Sequence, residues 1–304
     1  MLDVYYDVVS NVAAIPGIKG LKSASERFAG ALRTYTIESM MGDKRALQSC
    51  TSHNLGQNFA KAFNIQYLDR SNQLQHCWTT SWGLSWRMVG AVIMAHGDEK
   101  GLRLPPRLAP YQVVIVPIFR SDSERGQVME AIEGIKRQLI DAGIRLRVDD
   151  RDDLSPGFKF NDWEMRGVPV RLEVGPKDVA NNVVVAARRD MPGKEGKRTL
   201  SQAGLAASVS ALLDEIQANL RAQAETFRDA NMHDVRTYDE MKQVVEAGGF
   251  ARGWWADDAE NEKRIKNETQ ATHRCYPLDQ PGGEGECLLT GRKTTQIAIF
   301  AKAY

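Results

Sequence analysis

Cysteine is scarce in this chain of 304 residues: Cys50, Cys77, Cys275 and Cys287 are its four, and they are scattered. Such usage gives no disulfide framework, so the thiols read as reduced and the compartment as cytoplasmic. An excess of charge of one sign is also missing. The 40 Lys and Arg against 39 Asp and Glu leave a net charge of +1, and with it no global electrostatic footprint for nucleic acid or a membrane surface. A polyanionic partner must be met by a local arrangement. No apolar run approaches the roughly 20 residues of a membrane span. The opening "MLDVYYDVVSNVAAIPG" has neither a basic n-region nor a sustained apolar core, which excludes a signal peptide. There is no internal repeat and no long low-complexity tract. What is present, 42% hydrophobic and 26% charged residues, is the mix of an ordinary soluble globular protein. Its length predicts two or three domains.

Residues 1–108 mix helix and strand, with glycine breaks at "IPGIKG", "FAG" and "NLGQ", and end in the linker-like "LPPRLAP". Within them, "TTSWGLS" reads as extended, and "MVGAVIMA" recurs at helical spacing through Met88, Val92 and Ala95. Arg87 stands at the seam between the two. Residues 109–222 alternate strand and helix. "YQVVIVPIF" has strand length, and the next segment carries Val128, Ile132, Ile135 and Leu139 on one stripe, with Gly143 as C-cap. "IRLRVDD", "VPVRLEVG" and "NNVVVAAR" are further strands. A long helix follows, with Val209, Leu212, Leu213, Ile216 and Leu220 on one side. This alternation predicts an α/β layer domain. Residues 223–304 are helical and charged, then glycine-rich, then strand-like in "TTQIAIFAKAY".

Three strings in order, "TSHNLGQNFAKAFNI", "TSWGLSWRMVGAVIMAHGDEKGLRLPPRLAP" and "SPGFKFNDWEMRGVPVRLEVGPKD", resemble prolyl-tRNA synthetases of the archaeal/eukaryotic-like type. The likeness runs from "AIPGIKG" to the terminal "AKAY". It implies the later part of a class II catalytic core with an antiparallel sheet (1–108), an α/β anticodon-binding domain with a mixed sheet (109–222) and a small α+β C-terminal domain (223–304). The implied activity is proline–tRNA ligation: ATP with Mg2+ activates proline, which passes to tRNA(Pro). Full-length members are homodimers. The alternatives are a non-catalytic tRNA-binding or interaction module derived from a synthetase and, more remotely, a threonyl or histidyl enzyme, against which the strings themselves speak.

On that resemblance Arg87 is the arginine of class II motif 3, a catalytic residue that contacts the ATP phosphates. A guanidinium stays charged and offers phosphate oxygens a planar fork. Gln48 and Thr51 are implied at ATP, and His53, Trp82, Gly83 and Ser85 at proline, whose small ring suits a tight, partly aromatic pocket. If 50–53 is extended, Thr51 and His53 share a face, and only one of Ser85 and Trp86 can meet the ligand; the family pattern favours Ser85. Phe160, Glu164, Arg171, Lys177 and Asp178 are implied at the anticodon. A basic side chain serves the O6/N7 edge of guanine, a carboxylate accepts from N1 and N2, and an aromatic ring stacks an unpaired base. Composition alone would read the same stretch as a loop and strand with solvated charges.

Two departures from the family pattern stand out. Relatives often hold zinc through four cysteines in the C-terminal domain, whereas here Ala256, Asn261 and Thr290 occupy ligand-like positions beside Cys287. No structural zinc is expected, and Trp254, Trp255, Ile265, Ile297, Ile299 and Phe300 should form that domain's core. The chain also starts midway through the catalytic core, without motifs 1 and 2. The expectation is a truncated form, with the family's dimer interface missing and little adenylate formation by the chain alone.

Overall fold

The apolar run at 113–117 becomes the strand Val113–Pro117, buried at every position. It pairs in parallel with Leu146–Val148 on one side and Val170–Val174 on the other. Strands covered on both faces tolerate few polar residues, which is why this one reads as a continuous apolar run. Val183–Arg188 and Lys197–Ser201 extend the sheet antiparallel to five strands, so the sheet is mixed. The structure, a computed structural model, describes residues 1–191 and 193–304.

One face of this sheet is covered by two helices. Asp122–Asp141 starts where the Ser121 hydroxyl accepts a hydrogen bond from the Glu124 N–H, and it buries Val128, Ile132, Ile135 and Leu139. Leu205–Ala230 buries the stripe from Val209 to Leu220. Gly143, at φ +76°, follows the first helix where a left-handed cap is needed. The other face holds Val114 and Val116 against Trp163, Val168 and the partly buried Phe160. That layer corrects a composition-based expectation: "SPGFKFNDWEM" is mostly helix, Pro156–Met165, not loop. Ser155 caps it through the Phe158 N–H, and Pro156 fits the first helical position, where no N–H is needed.

These elements form one compact unit, Val12–Ala14 with His96–Gln223. The other unit comprises Met1–Asn11, Ile15–Ala95 and Ala224–Tyr304. Its sheet has eight strands in the order Met232–Asp234, Phe250–Trp254, Ile297–Ala301, Thr272–Pro277, Gly17–Leu21, Arg33–Met40, Ala46–Gly56 and Thr79–Leu84. All pairings are antiparallel except the first. Early and late parts of the chain meet at Gly20–Pro277 and Leu21–Tyr276. Of the expected C-terminal core, Trp255, Ile265, Ile297, Ile299 and Phe300 are buried. Trp254 is only half-buried; its indole lies over Gly285, where a Cβ would come within 2.3 Å of the ring.

A buried ion triad crosses the middle of this sheet. Glu38 is fully buried and accepts from Lys22 Nζ at 2.9 Å and from Arg274 Nη2 at 2.8 Å. Burial alone would raise its pKa, but the two cations outweigh burial and hold it down to about 2. Among the described residues, no helix is long and apolar enough to cross a membrane.

Candidate functional site

Three neighbouring strands of the larger sheet present one polar face. Opposed residues of an antiparallel pair point the same way, so the register names its members. His53 lies opposite Thr34 and Ser81, Thr51 opposite Thr36 and Gly83, and Gln48 opposite Glu38. Gln48 and Thr51 are three apart and would face oppositely in a regular strand. The register shifts between Ile37 and Glu38, giving the Ala46–Gly56 strand one extra residue there, and this bulge returns Gln48 to the side of Thr51. Gly83 leaves room for the Thr51 hydroxyl, which a Cβ there would approach at 3.6 Å.

His53 is fixed by two contacts. Its Nδ1 is 2.9 Å from the Thr34 hydroxyl, and its ring centroid is 4.8 Å from that of Phe28. Burial lowers its pKa, so the ring is neutral at pH 7. The Arg87–His96 helix begins just beyond the edge strand. Its first N–H donates to the Ser85 hydroxyl at 3.3 Å, and Arg87 Nη1 donates to the carbonyl of Gln48 at 3.4 Å. The exposed guanidinium therefore reaches the row that carries Gln48.

Trp82 is not brought to this face. It pairs with Ser52, so period-two alternation turns it to the opposite side from Thr51, His53 and Gly83, where it is 53% exposed. Trp86, 89% exposed, is likewise outside any core. The sequence reading missed Ser81 and Phe28. Ser81 could have been found from Gly83 by the same alternation. Phe28 comes from a loop, and nothing local points it at His53.

A second concentration of polar groups lies in the other unit, around a cavity of about 310 Å³. Glu164 and Arg171 line it, together with Lys100, Arg188, Arg189 and Lys197. Arg171 stacks on Phe160, with its guanidinium carbon 4.2 Å from the ring centroid, and donates to Glu173 at 2.9 Å. Lys197 also reaches Glu173, at 3.0 Å, while Lys100 is 3.5 Å from Glu164. The cavity is thus locally basic although the whole chain is not. Lys177 and Asp178 lie on the adjoining short helix Pro176–Ala180 and are not among the cavity's lining residues. The Asp178 carboxylate accepts from the Gly175 N–H at 2.9 Å, which closes the start of that helix.

Residues 112–218 match the family described as anticodon binding domain, and residues 238–304 match prolyl-tRNA synthetase, C-terminal. The proline–tRNA ligase of Roseiflexus sp. (strain RS-1) is 57% identical over 302 residues, 99% of this chain. The chain belongs to the prolyl-tRNA synthetase family. The chloroplastic/mitochondrial proline–tRNA ligase of Arabidopsis thaliana is 50% identical over 100% of this chain. Among solved structures, the Cryptosporidium parvum prolyl-tRNA synthetase complexed with L-proline and AMP is 33% identical, with a TM-score of 0.93 over 100% of this chain and 65% of that one. The chain spans 62% of the length of the Roseiflexus relative and 56% of the Arabidopsis one.

Where many prolyl-tRNA synthetases hold zinc, this chain keeps Cys287, 3% exposed. Burial pushes its thiol pKa up, but hydrogen bonds from the Thr290 side chain and the N–H groups of Ala256, Leu289 and Thr290 outweigh that and bring it below the usual value. The purified chain is expected to carry no stoichiometric zinc and to melt at the same temperature with and without a chelator. One zinc per chain by metal analysis after dialysis refutes this.

Proposed function

We propose that this chain serves proline–tRNA ligation in the cytoplasm, with ATP–Mg2+, proline and tRNA(Pro) as substrates. The observation that carries the reading is the single sheet face on which Gln48, Thr51, His53 and Gly83 meet, with Arg87 reaching over from the helix start. In aminoacyl-adenylate formation a carboxylate attacks the α-phosphate of ATP and pyrophosphate leaves. Arg87 is the group that grips the phosphates; Gln48 and Thr51 hold the nucleotide, with Gln48 towards its magnesium. Neutral His53, backed by Phe28, walls a narrow slot with Gly83, Ser81 and Ser85 for the proline ring. Pre-set donors of this kind stabilise developing charge without reorganising.

The basic cavity of the second unit suits an unstacked guanine-containing anticodon, with Arg171 on its Phe160 platform for the O6/N7 edge and Glu164 for the N1/N2 edge. Lys177 and Asp178, on the neighbouring short helix, flank the same bases. Glu164→Gln is expected to weaken tRNA(Pro) binding by roughly 1–3 kcal/mol, the scale of one specific base contact. A tRNA with its anticodon guanines replaced should be far less affected. Filter binding that shows equal losses on both tRNAs rejects the assignment.

The overall reading is tested by substitution into a relative. This chain, exchanged for the matching 302 residues of the Roseiflexus ligase, should give proline-dependent pyrophosphate exchange and charge tRNA(Pro). A folded chimaera that binds tRNA(Pro) but exchanges no pyrophosphate favours a non-catalytic tRNA-binding role instead.

A further inference from the structure

The polar face described above has a buried flank. Thr34, Thr36 and Glu38, on the strand beside Gln48, Thr51 and His53, are all within 2% of full burial. The rung that matters is Glu38 opposite Gln48. Directly opposed residues have Cβ atoms roughly 5 Å apart, so what fixes Glu38 also fixes its neighbour. Four donors converge on Glu38. Lys22 Nζ and the Thr36 hydroxyl donate to one oxygen at 2.9 and 2.8 Å, and the Arg274 Nε and Nη2 to the other at 3.0 and 2.8 Å. Lys22 Nζ also donates to the backbone carbonyl of Arg274 at 2.7 Å, which binds the two cations into one cluster.

The charges in this cluster do not cancel. Two cations meet one carboxylate, and their side chains are 3%, 7% and 0% exposed. A stability device needs only one cation per carboxylate, because each buried charge is costly to desolvate. The second leaves a net positive charge within the sheet, across the Glu38 strand from the row that Arg87 reaches. A positive charge in a water-poor place acts on nearby phosphates more strongly than one at the surface.

We infer that Lys22 and Arg274 are positioning residues for the nucleotide: through Glu38 they fix the Gln48 rung and leave one net positive charge beside the face that receives the ATP phosphates. The inference rests on the reading proposed above. It gives residues 272–277 a part in handling ATP without contact with it.

Binding of ATP and of adenosine to the 304-residue chain, measured by calorimetry, tests it. Arg274→Met is expected to raise the Kd for ATP about tenfold while the Kd for adenosine stays within about twofold, since only ATP presents phosphates to the lost charge. Arg274→Lys keeps the charge but not the fork, and should recover most of the ATP affinity. A folded Arg274→Met chain that binds ATP as the wild type does, or that loses ATP and adenosine equally, overturns the inference. If Arg274→Met fails to fold, Arg274→Lys decides: a loss of about threefold for ATP alone supports the inference, and none overturns it. Arg87→Ala separates the two levels. A wild-type chain that binds no ATP, and so does not differ from Arg87→Ala, overturns this inference, whereas the functional reading falls only if the chimaera also exchanges no pyrophosphate. ATP binding that is lost in Arg87→Ala but indifferent to Arg274 rejects the inference alone.

Discussion

Arg87→Ala, introduced into the Roseiflexus chimaera, lowers proline-dependent pyrophosphate exchange by about two to three orders of magnitude, the usual loss when one pre-set transition-state donor is removed. The expectation follows from where the side chain stands. Arg87 begins a helix whose next turn is anchored by the buried Met88, Ala91 and Val92, so the backbone beneath the guanidinium is fixed while the side chain is exposed. The Ser85 hydroxyl holds the Arg87 backbone N–H, and the guanidinium's own partner is the Gln48 carbonyl, not a carboxylate that would neutralise it. Removing the guanidinium leaves the packing of that helix intact, so melting temperature and tRNA(Pro) affinity should stay close to wild type. Arg87→Lys should recover only part of the rate, because an ammonium cannot engage two phosphate oxygens in a plane. Exchange by Arg87→Ala within threefold of wild type rules out the assigned role.

Glu38→Ala is expected to cost about 3–5 kcal/mol of stability, as removal of one partner from a buried ion cluster does, because Lys22 and Arg274 then stay buried without a counter-charge. Denaturant unfolding measures it. The same carboxyl makes the larger unit acid-sensitive. Its folded pKa, about 2, is below the ordinary 4.5, so its stabilisation is complete above pH 4.5 and is lost as pH falls through the folded value. The lost contribution approaches about 3 kcal/mol. Glu38→Gln should flatten the dependence of stability on pH between those limits. An unchanged acid slope in Glu38→Gln assigns the sensitivity to other groups.

Much of this was legible in the sequence where periodicity reports burial. Strand Val113–Pro117 and the stripes from Val128 to Leu139 and from Val209 to Leu220 lie buried as their spacing predicts. Two-residue alternation likewise placed Thr51 and His53 together. The failures have physical causes. Residues 156–165 hide a helix because Pro156 and Gly157 begin it, and a serine cap and one buried tryptophan stabilise it more than any apolar stripe does. Trp82 was assigned to the proline slot by its neighbours in the string, whereas strand parity turns it away. The bulge that brings Gln48 round to Thr51 depends on register with a partner strand, which no local pattern reveals. Least visible of all is Glu38 with Arg274, a contact across 236 positions of chain.

The eight-stranded sheet also governs the order in which the chain can fold. Residues 96–223 form their own unit inside the sequence of the other, and their strands and helices are complete once the ribosome has passed them. The surrounding sheet must wait. Ile297–Ala301, the last of these eight to be made, is not at an edge but between Phe250–Trp254 and Thr272–Pro277. Until it emerges, those two strands have no neighbour between them, and Gly17–Leu21 can join Thr272–Pro277 only after closing a loop of more than 200 residues. Such non-local pairing slows folding and leaves strand edges open to other chains meanwhile. A nascent chain halted a dozen residues short of Tyr304 would therefore keep a folded inner unit and an open, aggregation-prone outer one.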